Sequence, residues 1–251
     1  MLTPLATGIS AGLGALGLAA GGCAYAAMWP ASQLFGRALI APRIEAGRPG
    51  ELALTFDDGP NPAATPRLLE VLARHNVRAT FFLIGDFVRL EPALTREIAA
   101  AGHAIGNHTM THRFLPRYSA ARIQAELAGC NAALEDTLGG RVELFRPPHG
   151  GRTPAVFRAA TSLGLKTVQW NLIVGDWMDV SSELILSRLE KGIADHRRGG
   201  RGTNVVLHDG GQAGLGQPRL KTVEAVETLL QRLAPDTEFV VPTGDPAQPW
   251  R

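Results

Sequence analysis

Leu52-Ala53-Leu54-Thr55-Phe56-Asp57-Asp58-Gly59-Pro60 is an apolar run that stops on two adjacent acids. Residues 52–56 read as a strand, and Asp57-Asp58-Gly59-Pro60 reads as the turn that ends it. The same grammar repeats downstream. Helical periodicity over 65–74 puts Leu68, Leu69, Val71 and Leu72 on one apolar face. Ala79–Ile84 is a second strand, residues 91–101 are helical up to Gly102, and 104–106 form a short third strand. Ser119 is an N-cap for a helix reaching Leu138, Leu144-Phe145 is a fourth strand, and Pro154 opens a helix. Residues 166–170 form the fifth strand, Ser181 caps a helix to about His196, 204–208 is the sixth strand, 218–233 is helical, and 238–241 is the seventh strand. Strands alternating with helices imply a parallel sheet with crossover helices. Seven such strands predict an α/β fold of the (β/α) barrel kind in preference to an open sheet.

The bulk numbers agree and narrow the function. A chain of 251 residues suits one barrel-sized domain plus a short appendage. Hydrophobic residues make up 45% and charged residues 19%, which is ordinary globular composition. A formal net charge of +2, with no Lys/Arg run interleaved with aromatics, offers no electrostatic footprint for nucleic acid. The two cysteines, Cys23 and Cys130, make neither a disulfide framework nor a Cys-based zinc site. Any metal must use His and carboxylates.

No charged side chain occurs between Leu2 and Gly36. The Ala/Gly/Leu-rich stretch from Leu5 to Trp29 is long enough to span a bilayer as an apolar helix, with Tyr25 and Trp29 at an interface and Pro30 as the breaker. Residues 1–36 therefore read as a membrane anchor. A cleaved secretory signal competes, although its positive n-region is missing. Gly21-Gly22-Cys23 is a weak lipoprotein-like match, and a buried Gly/Ala-rich hairpin is the bland alternative. Arg37, Arg43 and Arg48 follow the stretch, and taken alone they would keep the C-terminal side cytoplasmic. Residues 37–50 read as a linker, 51–242 as the folded domain and 243–251 as a tail.

The polar residues fall in a positional pattern. Asp57 and Asp58 follow the first strand, His108 the third, Arg146 the fourth, Asp176 the fifth and His208 the sixth. In a parallel barrel these places share one face, the C-terminal end of the strands, where catalytic groups converge. His108 and His112 are spaced to meet one ion from a single helical turn. Of two adjacent carboxylates, one can ligate a metal while the other stays free to take a proton from water. Each motif alone has an ordinary reading as turn chemistry or loop histidines.

Together they resemble a known family. Thr55-Phe56-Asp57-Asp58-Gly59-Pro60, His108-Thr109-Met110-Thr111-His112, Arg146-Pro147-Pro148-His149-Gly150, Asp176-Trp177 and Val206-Leu207-His208 resemble, in order and spacing, the five signature motifs of the polysaccharide deacetylase (NodB-homology) family, over roughly residues 50–242. The resemblance implies a distorted, commonly seven-stranded (β/α) barrel and one divalent metal, most often zinc, with cobalt, nickel or manganese as alternatives. It implies hydrolysis of N-acetyl or O-acetyl groups on an envelope or extracellular polysaccharide such as peptidoglycan, chitin oligomers or xylan. Residue by residue it implies Asp58, His108 and His112 as metal ligands, Asp57 as base and His208 as acid. Arg146 would hold the base and Asp176 the acid; Trp177 and Leu207 would wall the acetyl pocket, and the His149 backbone N–H would face the oxyanion. His149 stands where many relatives carry Tyr, and Asn171 where Asp is frequent. Two alternatives remain: a silent carbohydrate-binding relative and a hydrolase of small non-sugar amides. With the apolar N-terminus, the expected location is the cell envelope, membrane-anchored or secreted.

Other residues receive bland readings. His75 and His196 are expected at a solvated surface, His103 in a structural hydrogen bond, and Cys130 and Trp170 in the core. The loop Gly210–Gly216 lacks a phosphate-loop ending and is expected to rim the site.

Overall fold

The computed structural model describes residues 21–44, 51–233, 235, 237–242 and 250. Most of the apolar N-terminal stretch and of the C-terminal tail lies outside them. Residues 21–28 form a helix, α1. Among the described residues no helix is long and apolar enough to cross a membrane.

Eight short strands form one sheet: β1 (Glu51–Gly59), β2 (Thr80–Leu83), β3 (Ala104–Asn107), β4 (Leu144–Phe145), β5 (Lys166–Thr167), β6 (Leu172–Ile173), β7 (Thr203–His208) and β8 (Glu238–Phe239). Seven run β5-β4-β3-β2-β1-β7-β6, and β8 pairs with the start of β1. Every pairing is parallel. Helices α2 (Thr65–Arg74), α3 (Gly85–Leu90), α4 (Pro92–Ala100), α5 (Ala120–Leu138), α6 (Pro154–Ser162), α7 (Ser182–Arg198) and α8 (Leu220–Arg232) provide the crossovers. The result is the expected distorted (β/α) barrel, a curled sheet left open between β5 and β6.

Several elements form for the reasons visible in sequence. The Ser119 and Ser181 hydroxyls accept from Arg122 and Leu184 N–H, capping α5 and α7. Gly139, at φ 68, ends α5 in a left-handed cap. Leu68, Leu72, Val226 and Leu229 from the helices meet Leu54, Phe56, Phe81 and Leu207 from the strands in the main core. Burying each such side chain is worth roughly 1.5–3 kcal/mol.

Other expectations shift. The first strand continues through Asp57 and Asp58 instead of turning there. Its register against β2 slips between Asp57 and Gly59, so Asp58 occupies a bulge at φ 72. The expected strand 166–170 keeps only Lys166–Thr167, and the separate strand β6 follows it. Leu172–Ile173 carries too little periodicity to stand out as a strand of its own. Asp176 thus follows the sixth strand and His208 ends the seventh.

Part of the segment expected as a linker packs into the open side of the sheet. Ala38, Ile40 and Ala41 are buried, Leu39 bridges to Val168, and Asn204 Nδ2 donates to Ile40 O at 3.0 Å. Trp250 is also buried and bridges to Pro42. The C-terminal end of α1 is fastened just beyond the Arg146–Gly150 motif. Arg152, itself buried, donates to the carbonyls of Pro30 at 3.0 Å and Ala26 at 3.3 Å, and to that of Trp29. Its N–H donates to Ala27 O. A guanidinium at a helix C-terminus satisfies carbonyls that the helix leaves unpaired.

Candidate active site

A cavity of about 410 Å³ opens at the C-terminal ends of the strands. Asp57, Asp58, His108, His112, His149, Trp177 and His208 all line it. Parallel strands deliver their ends to one face, and so residues distant in sequence meet.

The His108–His112 loop is irregular, not a helical turn. Thr109 has φ 67 and His112 φ 55. Side chains hold these turns. Asn107 Oδ1 accepts from Thr109 N–H at 2.8 Å, and Thr109 Oγ1 accepts from His112 N–H at 3.0 Å. From α5, the buried carboxylate of Glu126 accepts from Thr111 N–H at 2.9 Å and from the Thr111 hydroxyl. From α3, Gly85 and Asp86 N–H donate to the carbonyls of Thr109 and Met110. Five non-glycine residues among those described have positive φ: Asp58, Asn76, Thr109, His112 and His149. All but Asn76 belong to the site, where the surrounding bonds over-determine a backbone that costs on the order of 1–3 kcal/mol per residue.

Asp58, His108 and His112 each offer one ligand atom, all within 4.8 Å of one another. His112 Nε2 lies 3.0 Å and His108 Nε2 3.3 Å from Asp58 Oδ1. His108 Nδ1 lies 2.8 Å from Arg146 O. A carbonyl only accepts, so Nδ1 carries the proton, and in the neutral ring Nε2 turns a lone pair toward the carboxylate. Two facing acceptors call for a cation between them. Asp58 Oδ1 is also buried with no hydrogen-bond partner. The donor set thus fits a divalent ion with positions left open. Burial alone would raise the Asp58 carboxyl; without an ion, His108 and His112 as protonated, donating rings override it and hold it well below the ordinary carboxylate range.

Asp57 is held differently. Arg146 Nη1 donates to Asp57 Oδ1 at 2.8 Å and to Thr55 Oγ1 at 2.7 Å, and Nη2 donates to Gln169 O at 2.9 Å. The guanidinium sits 4.2 Å from the Phe82 ring centroid and 5.7 Å from that of Trp170. Asp57 Oδ2 stays on the cavity side, 3.8 Å from His108 Nε2.

His208 is gripped twice by Asp176. Its Nδ1 lies 2.9 Å from Asp176 Oδ1, and its backbone N–H donates to Oδ2 at 2.8 Å. Thr222 Oγ1 donates to the same Oδ2 at 3.1 Å. Burial pushes the imidazolium down, but Asp176 first, then Asp58 and Asp57, raise it to about 9. The Trp177 ring stands edge-on to it at 5.2 Å.

Leu207 is the exception among the expected residues. It is buried in the main core, and Val206 lines the cavity in its place. Strand alternation is the reason: Val206 shares a face with His208, and Leu207 faces the helices. Trp170, expected in the core, also lines the cavity, as do Ile173, Gln212 and Arg219. His196, expected at the surface, is buried with Nδ1 3.1 Å from Thr203 Oγ1. His103 does make a structural bond, accepting from Ala79 N–H at 3.2 Å. Sequence reading missed Asp209, which is buried, accepts from the Thr65 hydroxyl and is pushed up to about 7 by burial and then by Asp58 and Asp57. Gly210 follows because any Cβ there would overlap the Asp58 carbonyl.

A family model described as polysaccharide deacetylase matches residues 45–168. The peptidoglycan-N-acetylglucosamine deacetylase of Bacillus cereus is 35% identical over 184 residues, covering 72% of this chain and 81% of that protein. The chitooligosaccharide deacetylase of Bradyrhizobium is 38% identical over 158 residues, covering 62% and 69%. A family 4 carbohydrate esterase from Streptomyces lividans, solved in complex with acetate, superposes with a TM-score of 0.63 at 29% identity, covering 74% of this chain and 88% of that one.

Proposed function

This chain belongs to the polysaccharide deacetylase family and is a hydrolase of polysaccharide amide bonds; from that premise we propose that it removes N-acetyl groups from an envelope glycan with the help of one divalent ion, zinc first among the candidates. The observation that carries the reading is the placement of two adjacent acids with different partners. Asp58 faces His108 and His112, whereas Asp57 is tied through Oδ1 to Arg146.

An ion at Asp58, His108 and His112 would supply Lewis-acid polarisation of the acetyl carbonyl. Asp57 Oδ2, left open by the Arg146 bond to Oδ1, takes the proton of the attacking water. Arg146 keeps that carboxylate oriented from below. The His149 backbone N–H donates to the developing oxyanion. His208 Nε2 then gives its proton to the leaving amine, since Asp176 occupies Nδ1 and keeps the ring charged. Trp177 and Val206 enclose the acetyl methyl group.

The charge-free run from Leu2 to Gly36 supports placing the enzyme at the membrane face of the cell envelope. The test is acetate release from peptidoglycan, chitin oligomers and acetylated xylan, with metal content measured and Asp57→Asn as control. Acetate release by wild type that disappears in Asp57→Asn is the expected result. Unchanged release in that variant would sink the mechanism, and glycan binding without release would show a silent binding protein.

A further inference from the structure

Arg219 lines the cavity, yet no step above uses it. It is half-buried and its head is fixed. Nε donates to Gly210 O at 2.6 Å, and Nη1 reaches only the neighbouring Pro218 O at 3.4 Å. It enters none of the ion pairs among the described residues, whereas Lys221, two positions on, is neutralised by Asp179 at 2.8 Å. Gln217 stands beside it. A Cβ on Gly211 would run into both the Gln217 amide and Arg219 Nη2, so the two side chains converge over that glycine. Gln217 Oε1 is buried with no hydrogen-bond partner.

Arg219 and Gln217, with Trp177, also line a second depression of about 420 Å³. Met178 and Leu220 lie along its walls, and the two carboxylates that also line it are engaged, Asp179 by Lys221 and Asp176 by His208. Its size falls within the range of small-molecule sites. A pre-positioned, unpaired guanidinium therefore stands between the catalytic cavity and an adjoining hollow. Its planar fork matches a carboxylate, and the Gln217 side chain packs beside it over Gly211.

We propose that Arg219 and Gln217 form a subsite for a carboxylate-bearing sugar next to the acetylated amino sugar, making an acidic glycan the preferred substrate over a neutral amino-sugar polymer. The proposal rests on the deacetylase reading of the neighbouring cavity. A role for Arg219 limited to holding Gly210 would affect all substrates alike; a carboxylate subsite affects only the acidic one.

The test compares two probes on the full chain loaded with a divalent ion. One is a tetrasaccharide of alternating N-acetylglucosamine and N-acetylmuramic acid; the other is its methyl ester. The wild-type chain is expected to process the free acid with a kcat/KM roughly tenfold above that for the ester, mainly through KM. Arg219→Gln brings the acid-to-ester ratio toward one, and Arg219→Lys keeps part of it. Equal kcat/KM for acid and ester in wild type overturns the subsite without any variant. A loss of equal size on both probes in Arg219→Gln overturns it as well and assigns the residue to the loop. Absence of acetate from both probes in wild type overturns the deacetylase reading beneath it, a failure separate from a change in the ratio.

Discussion

Arg146 Nη1 donates to Asp57 Oδ1 at 2.8 Å, the guanidinium shut off from solvent and the carboxylate buried at the cavity wall. The pair joins β4 to β1 and lies under the cavity floor. A buried charge is tolerated only while it is paired and hydrogen-bonded, and Arg146 has Thr55, Asp57 and Gln169 for this. Arg146→Met leaves Asp57 buried without its partner. Equilibrium denaturation should record a loss of about 3–5 kcal/mol. Arg146→Lys should rescue little of it, because one ammonium cannot reach acceptors set for a planar fork.

Asp57→Asn keeps the shape and removes the proton acceptor. The expected loss in kcat is roughly a hundredfold to ten-thousandfold. Metal content by elemental analysis should stay at the wild-type level, because the cluster that could hold the ion is Asp58, His108 and His112.

A divalent ion that binds the folded chain must stabilise it. At a hundredfold excess over Kd the gain is about 2.7 kcal/mol, read as a rise in the thermal midpoint. His108→Ala should abolish the rise, as should a chelator with wild type. A midpoint in His108→Ala that still climbs with added zinc would contradict the assignment of the cluster.

His208 must be protonated to act as an acid, so activity should fall as pH rises through about 9. Asp176 is the foremost group holding that value up against burial. In Asp176→Asn the alkaline limb of the kcat profile should therefore move to lower pH. A limb that stays in place would separate His208 from proton transfer.

His103 gives a pH dependence of stability. Burial first, then Arg78, lowers its value from 6.5 to about 4. The folded state thus binds a proton less readily than the unfolded chain. Its contribution is complete above pH 6.5 and is lost as pH falls toward about 4. Protonation would also cost the bond that Nδ1 accepts from the Ala79 N–H. His103→Asn should flatten the denaturation midpoint over that window.

Much of the molecule is legible in one dimension because its signals are local. The α2 boundaries, the Ser119 cap and the strand ends at His108 and His208 follow from periodicity and cap chemistry within a few residues. The two-residue strand β6 has no such local signal, since its existence depends on the neighbour it pairs with. The resemblance implies Leu207 as a pocket wall, but alternation along the strand turns Leu207 to the core and Val206 to the cavity.

The sequence by itself determined the parallel α/β plan and the chemistry-bearing residues, because alternating elements oblige their strand ends to share a face. It also separated the acids at 57 and 58 from any ordinary pair by the histidines that accompany them. The resemblance implies a different role for each acid, and only the tertiary structure shows the different partners each one has. The bulge at Asp58 turns one carboxylate to the histidines, and the reach of Arg146 across the sheet claims the other. It alone seated Ala38, Ile40 and Ala41 in the gap of the sheet and left Arg219 in the cavity without an ion pair among the described residues. These are long-range relations, set by how distant segments pack, and no window of sequence contains both partners.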